Sequence, residues 1–210
     1  MTWSEITTVD QLVGLLGTPG LAATNKERQA LHALDRQWLA QTPFCLIATA
    51  AADGSCDVSP KGDPPGQLVH VLDATTIALA ERPGNRRADG YRNLLSNPHV
   101  GLIFFIPGRG DTLRINGRAR LVSEAPFFDD LVVKGRRPVL AVVVEIEQIF
   151  HHCQKAFLRS KLWRPESWPD PDAADGVPAR PVIAQTLERP DESLEALQTY
   201  YGPAYAENLY

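Results

Sequence analysis

Three groups of side chains in this 210-residue chain have types and spacings that could do chemistry. The first is Arg86-Arg87, between the Pro83-Gly84 turn and a helical pattern that runs on to Ser96. A helix N-terminus disfavours positive charge, because its dipole and open backbone N–H groups attract anions. Two guanidinium forks placed there would complete a phosphate seat. The other reading is a solvated surface pair neutralised by Asp89 or Glu81. The second group is Ser59 and Lys61 in "VSPKG". Strand alternation puts both on one face, where a hydroxyl and an ammonium could meet a phosphate or a polar ring edge. An ordinary exposed strand end is the alternative. The third is "HHCQKAFLRSKLW", residues 151–163, read as a helix. His152, Lys155, Arg159 and Trp163 would share one face. The like charges at Lys155 and Arg159 would be relieved by an anionic ligand, or by Glu145, Glu147 or Glu166.

Other chemistries lack their residues. Neighbours on a helix point apart, so His151, His152 and Cys153 do not make a metal site, and no metal is expected. The chain has no GxSxG elbow, no Walker A motif and no GxGxxG. A formal net charge of -4 argues against general nucleic-acid binding. The longest apolar runs, such as "VLAVVVEI", are too short to cross a bilayer. The start "MTWSEITTVDQLVGLL" lacks the basic region of a signal peptide. Three cysteines without CxxC spacing read as reduced thiols of a cytoplasmic protein.

The elements that must position these groups follow from periodicity. "TTVDQLVGLLGTPG" reads as a short helix stopped by Gly17 and Pro19. "TNKERQALHALDRQWLAQ" reads as another, with Thr24 and Glu27 at capping-box spacing and Leu31, Leu34, Trp38 and Leu39 as its stripe. "FCLIATA", the turn "ADGS" and "CDVSPKG" read as a hairpin, followed by "QLVHVLD" and "TIALAE" as short strands. A helix from about Arg86 to Ser96 has Ala88, Tyr91, Leu94 and Leu95 on one face. "VGLIFFI", "TLRINGRARLV" and "VLAVVVEIEQ" are further strands, with Gly117 marking a bulge or a close backbone approach. Six or seven short strands in hairpin-like order with one inserted helix predict a mainly β, α+β fold. Its antiparallel sheet is closed or nearly closed into a barrel with flanking helices. After residue 163 the chain is rich in proline, alanine and acids, and predicts an exposed arm with a short helix near Ser193 and a tyrosine-rich end that docks on the body or on a second subunit.

Taken together, "FCLIATAAADGSCDVSPKG", "IALAERPGNRRADGYRNLLSNPHVGLIFF" and "TLRINGRARLV" resemble the pyridoxamine 5'-phosphate oxidase-like superfamily over roughly residues 25 to 165. The resemblance implies an FMN-binding split β-barrel of six antiparallel strands, usually a homodimer with FMN at the subunit interface. It implies residues 1–24 as an N-terminal helical segment, 25–165 as the barrel domain and 166–210 as an extended C-terminal arm. By position Lys61, Arg86 and Arg87 would hold the FMN phosphate, and Ser59 would lie near the ring or ribityl chain. Thr112 stands where the oxidases usually carry a glutamine near the flavin, and Lys155, Arg159 and Trp163 match basic and aromatic residues that follow the barrel. The oxidases' Ser-Arg-Lys run is Asn85-Arg86-Arg87 here, and "RSKLW" is not their C-terminal substrate motif. The resemblance is therefore to a pyridoxamine oxidase-related subgroup rather than to the oxidase proper. It implies an FMN-dependent oxidoreductase acting on a small substrate. A non-catalytic flavin or haem binder and a deazaflavin (F420)-dependent reductase of the same fold are the alternatives.

Overall fold

A computed structural model describes residues 2–170, 176–207 and 209. The strands are β1 (Phe44–Ala50), β2 (Cys56–Gly62), β3 (His70–Val71), β4 (Thr76–Ala80), β5 (His99–Phe105), β6 (Thr112–Val122) and β7 (Ala141–His152). They form one antiparallel seven-stranded sheet in the order β2-β1-β5-β6-β7-β4-β3. The sheet is not closed, which is consistent with a split barrel. The seventh strand is the two-residue β3, at one edge; β2 is the other edge.

Alternation builds the core. Cys45 and Ile47 of β1, Val100, Leu102 and Phe104 of β5, and Leu113 and Ile115 of β6 all face inward and are buried. A one-residue slip would turn this whole set to solvent, so the register is tightly specified. The first half of β7 is buried on both faces, because a 3₁₀ turn at Pro126–Leu131 packs Phe128 and Leu131 against Ala80 and Ala141. The long β6–β7 ladder needs one correction to its course. Its register shifts between Asn116 and Gly117, which pairs with Ile146 while Asn116 pairs with Gln148, so Glu147 is the extra residue. Both readings of Gly117, bulge and close approach, hold at once.

Helices flank the sheet: α1 (Val9–Leu16), α2 (Leu21–Thr24), α3 (Ala33–Gln41), α4 (Asp89–Ser96), α5 (Lys155–Ser160), α6 (Arg180–Leu187) and α7 (Leu194–Tyr200). Thr8 caps α1, and Gly17 ends it at φ 75°, the latter as the sequence predicts. The predicted helix after Thr24 starts nine residues later than Thr24, at Ala33. Thr24 does not form the predicted capping box; its hydroxyl donates to the Leu21 carbonyl within α2. Residues between the two helices instead pair with the sheet, Arg28 N–H donating to Ile149 O and Ile149 N–H to Arg28 O. The capping box falls on His32 and Asp35. Trp38 and Leu39 are buried as predicted, whereas Leu34 is exposed.

Asp35 anchors α3 to the barrel end. Its buried carboxylate accepts from Arg28 Nη1 and Nη2, from His32 N–H at 2.7 Å and lies 3.1 Å from His151 Nε2. Burial pushes the Asp35 carboxyl up, but Arg28, the His32 N–H and His151 outweigh it and leave its pKa below the usual range. A carboxyl depressed in the folded state stabilises the fold above the unfolded carboxylate pKa of about 3.9. That contribution disappears as pH falls through the folded value. Asp35→Asn is expected to cost about 2 kcal/mol at neutral pH, read as a lower urea midpoint, and to flatten the acid limb of the stability profile. The cost falls below the roughly 3–5 kcal/mol of a fully buried broken pair because Arg28 is 37% exposed and water can solvate it. An unchanged acid limb in the variant would show that another carboxylate governs it.

The C-terminal arm carries two helices where one is predicted. Ser193 caps α7 as expected. Ala184 of α6 and Leu197 of α7 are fully buried, and Tyr200, Tyr201 and Tyr205 stack on one another. Part of the predicted extended stretch, residues 171–175, and the terminal Tyr210 lie outside the described residues.

Candidate functional site

The hairpin β1–β2, the end of β4 and the loop before α4 enclose a cleft of about 670 Å³. Ser59 and Lys61, two apart on β2, both point into it, as strand alternation predicts. Arg86 and Arg87 line it from the loop. The predicted helix start is corrected: α4 begins at Asp89, and Ala88 is its N-cap in the left-handed conformation. Arg86 and Ala88 both have positive φ, 61° and 57°. Such backbone costs on the order of 1 kcal/mol per non-glycine residue and collects at ligand sites. No side chain caps the first turn of α4: the Tyr91 and Arg92 N–H groups donate to the Ala88 carbonyl, and those of Asp89 and Gly90, which line the cleft, have no acceptor among the described residues.

The charges in the cleft are paired in a definite pattern. Lys61 Nζ donates to Glu81 Oε2 at 2.6 Å and to Tyr91 Oη at 2.6 Å, and Tyr91 donates in turn to Glu81. Burial, with the adjacent Glu81 carboxylate, pushes the Tyr91 phenol far above its ordinary value, so it stays protonated. Arg82 Nε donates to Asp63 Oδ2 at 2.8 Å, and its Nη1 to the Leu131 carbonyl at 3.0 Å. Arg87 Nε donates to Asp89 Oδ2 at 2.7 Å. Four cations, Lys61, Arg82, Arg86 and Arg87, thus face four carboxylates, Asp57, Asp63, Glu81 and Asp89. Arg86 is exposed and forms no ion pair with the described residues. The alternative pairing weighed from sequence is therefore met by Arg87 and Asp89, while Glu81 holds Lys61. An incoming anion finds Arg86 and the open N–H groups available, and Lys61 can add its third N–H without releasing Glu81 or Tyr91.

A second polar contact fixes α4 itself. Asn93 is buried and its amide donates to Thr49 Oγ1 at 3.1 Å and Asp57 Oδ2 at 2.8 Å. The sequence reading puts Asn93 on the outer side of the helix and Leu95 inside; the structure reverses them, with Leu95 77% exposed. Leu94 is buried as predicted, and Tyr91 packs at the core's edge. Periodicity misses the burial of Asn93 and gives no hint that Glu81 and Tyr91 hold Lys61, because polar burial depends on partners from other strands.

The remaining predicted site residues lie elsewhere. Thr112 begins β6, is buried, and pairs with His152. His151 and His152 end β7 rather than starting a helix, and α5 spans only Lys155–Ser160. The chain turns out of α5 at Lys161, φ 53°, so Trp163 does not share a helix face with Lys155 and Arg159. Trp163 Nε1 donates to the Arg109 carbonyl at 2.6 Å, and its ring stacks on Phe157 at 5.9 Å. Phe157 in turn meets Phe105, and Phe105 meets Phe44 on the outer face of the sheet. Lys155 and Arg159 are exposed beside this aromatic row. None of Thr112, Lys155, Arg159 and Trp163 lines the cleft that holds Ser59, Lys61, Arg86 and Arg87.

The three cysteines are free thiols. Burial pushes the Cys45 thiol up to about 12, which removes it as a nucleophile at neutral pH. No helix among the described residues is long and apolar enough to cross a membrane.

No curated protein matches this chain. Among solved structures, HupZ of Group A Streptococcus is similar over 58% of this chain and 94% of its own, at 19% identity and a TM-score of 0.46. A protein from Clostridium acetobutylicum related to general stress protein 26 of B. subtilis, of the pyridoxinephosphate oxidase family, is similar over 57% of this chain and 86% of its own, at 14% identity and a TM-score of 0.42. An F420 reductase is similar over 54% of this chain and 94% of its own, at 16% identity and a TM-score of 0.40. The family model described as pyridoxamine 5'-phosphate oxidase matches residues 31–153, more than half of the chain and the whole sheet from β1 to β7. The chain belongs to the pyridoxamine 5'-phosphate oxidase family.

Proposed function

We propose that the protein is an FMN-dependent oxidoreductase that works as a homodimer, with the FMN phosphate seated in the cleft at Arg86. The observation that carries this reading is the convergence of Arg86, Lys61 and the uncapped first turn of α4 on one cleft of about 670 Å³. The volume falls within the usual range for cofactor sites, roughly 300–1,000 Å³. An open guanidinium with open backbone N–H groups is the donor set a phosphate needs. Glu81 and Tyr91 hold the Lys61 ammonium in place, and Ser59 offers a hydroxyl one alternation away. When bound, the flavin supplies hydride or electron transfer. The protein's residues bind, orient and screen it.

The dimer reading rests on the outer sheet face. Leu46, Ile103 and Phe105 are half-buried there, and Phe44 and Val58 are exposed. An apolar face of this kind on a sheet is what a second copy covers. The aromatic row Phe44, Phe105, Phe157 and Trp163 continues from that face, so a second copy covering it would also meet Trp163.

The test is the spectrum and mass of what copurifies, followed by FMN titration. A yellow protein with flavin absorbance bands and a mass of two chains is expected. A colourless protein that rejects FMN would end the reading. A Soret band would replace it with haem binding, and tighter uptake of the deazaflavin F420 than of FMN would replace it with an F420-dependent reductase.

A further inference from the structure

The first helix is a surface without a partner. Every residue from 2 to 25 is exposed, and α1 buries none of its side chains. Its apolar residues nevertheless keep helical spacing: Val9, Leu12, Val13 and Leu16 fall at i, i+3, i+4 and i+7. Val9 is 73% exposed and Leu16 78%, and exposed Trp3 and Ile6 extend the apolar surface ahead of the helix. Thr8 and Gln11 close a reciprocal capping box. A helix of eight residues is marginal in water when nothing packs on it. A capped helix with an intact apolar stripe is built to lie against another surface.

The surface it fits is on the same chain, after β7. The turn there is built rather than loose: Trp163 stacks on Phe157, and Trp168 Nε1 donates to the Leu162 carbonyl at 2.8 Å. Leu158, Leu162 and Trp168 are exposed on it. So are Lys155, Arg159, Lys161 and Arg164, and these cations form no ion pair among the described residues. The N-terminal segment is the complement. Up to residue 25 it carries Glu5 and Asp10 and no Lys or Arg. That composition also sets it apart from helices that lie on anionic membranes, whose polar faces are rich in Lys and Arg. Within one chain both surfaces stay uncovered, although Lys26, at the root of the segment, donates to the His151 carbonyl at 3.1 Å.

We propose that the N-terminal segment of each copy packs across the α5 patch of a second copy. Such an exchange is isologous, so one two-fold contact covers both segments and both patches. The patch continues the aromatic row Phe44, Phe105 and Phe157 that leads from the outer sheet face. The exchange therefore extends the dimer contact proposed above and rests on that reading. The apolar stripe supplies the affinity, and the acids against unpaired cations supply the register.

The experiment co-expresses two chains, both with Cys56→Ser and Cys153→Ser, one with Ile6→Cys and the other with Leu162→Cys. Oxidation is expected to give a cross-linked product with one chain of each kind. A chain carrying both new cysteines is expected to link to a second copy rather than close on itself. Leu12→Asp with Leu16→Asp is expected to weaken two-chain association about tenfold or more, with Leu12→Met and Leu16→Met close to the parent. A parent with the mass of one chain would end the homodimer reading and the exchange together. A two-chain parent that gives no product with one chain of each kind, closes within one chain, or associates unchanged after Leu12→Asp with Leu16→Asp overturns the exchange and leaves the sheet-face dimer standing.

Discussion

Arg86→Ala combined with Arg87→Ala is expected to weaken FMN binding roughly a hundredfold, about 3 kcal/mol. A hydrogen bond to a charged group contributes about 1.5–3 kcal/mol, and two such groups are removed. The lower end applies because Arg87 is 74% exposed and already held by Asp89. Arg86, without an ion pair among the described residues, should carry most of the loss, so Arg86→Ala alone comes near the double variant and Arg87→Ala near the parent. Removing Arg86 also leaves the cleft with more carboxylates than cations, which disfavours a dianion further. Fluorescence titration with FMN and with riboflavin separates the causes. Riboflavin lacks the phosphate, so its affinity should be the same in all four proteins. An equal loss for both ligands would mean that the loop shapes the ring site; no loss for FMN would mean that the phosphate is held elsewhere.

Gly117→Ala is expected to be the most damaging single methyl in the molecule, costing about 3 kcal/mol or more. A Cβ at that position would stand 1.9 Å from the Glu145 carbonyl oxygen, 2.9 Å from its carbon and 3.3 Å from the Glu147 nitrogen. All three are backbone atoms of β7, so no side chain can swing away. The strands must separate at the bulge where the longest ladder of the sheet changes register. For a domain stabilised by about 5–15 kcal/mol, that loss is a large share of the total. Gly101→Ala is the control on the neighbouring strand: its added Cβ meets Asn116 Oδ1 at 3.4 Å and Ala48 Cβ at 4.0 Å, ordinary contact distances. Urea midpoints should fall sharply for the first variant and little for the second. Equal midpoints would show that the bulge yields more easily than its geometry implies.

The sequence is most legible where burial follows a simple period. Alternating Leu113, Ile115 and Ala119 mark β6, and the D-G turn between β1 and β2 falls where it is predicted, with Gly54 at φ 89°. Ser59 and Lys61 reach the same cleft because a period of two is hard to misread. Helix starts are less legible. The pattern from Arg86 to Ser96 hides an uncapped loop, since left-handed backbone at Arg86 and Ala88 leaves no mark in residue types that are not glycine. The segment from His151 to Trp163 misleads for a related reason. Helical spacing is present, but β7 claims His151 and His152 through pairing with Leu113 and Thr112. Ladder partners 38 and 40 residues away in the chain override local propensity, as tertiary contacts commonly do.

Residue order and pattern by themselves determined an antiparallel, barrel-like sheet, its strand sequence, and an inserted helix with a basic pair near its start. Those features depend on periodicity and turn chemistry, which are local. Only the tertiary structure decided how the charges are shared: Lys61 with Glu81 and Tyr91, Arg82 with Asp63, Arg87 with Asp89, and Arg86 without an ion pair among the described residues. It also separated Thr112, Lys155, Arg159 and Trp163 from that cleft. The reason is physical. An ion pair forms between whichever opposite charges the packed backbone holds within a few ångströms, and strand pairing sets that distance across many residues of chain.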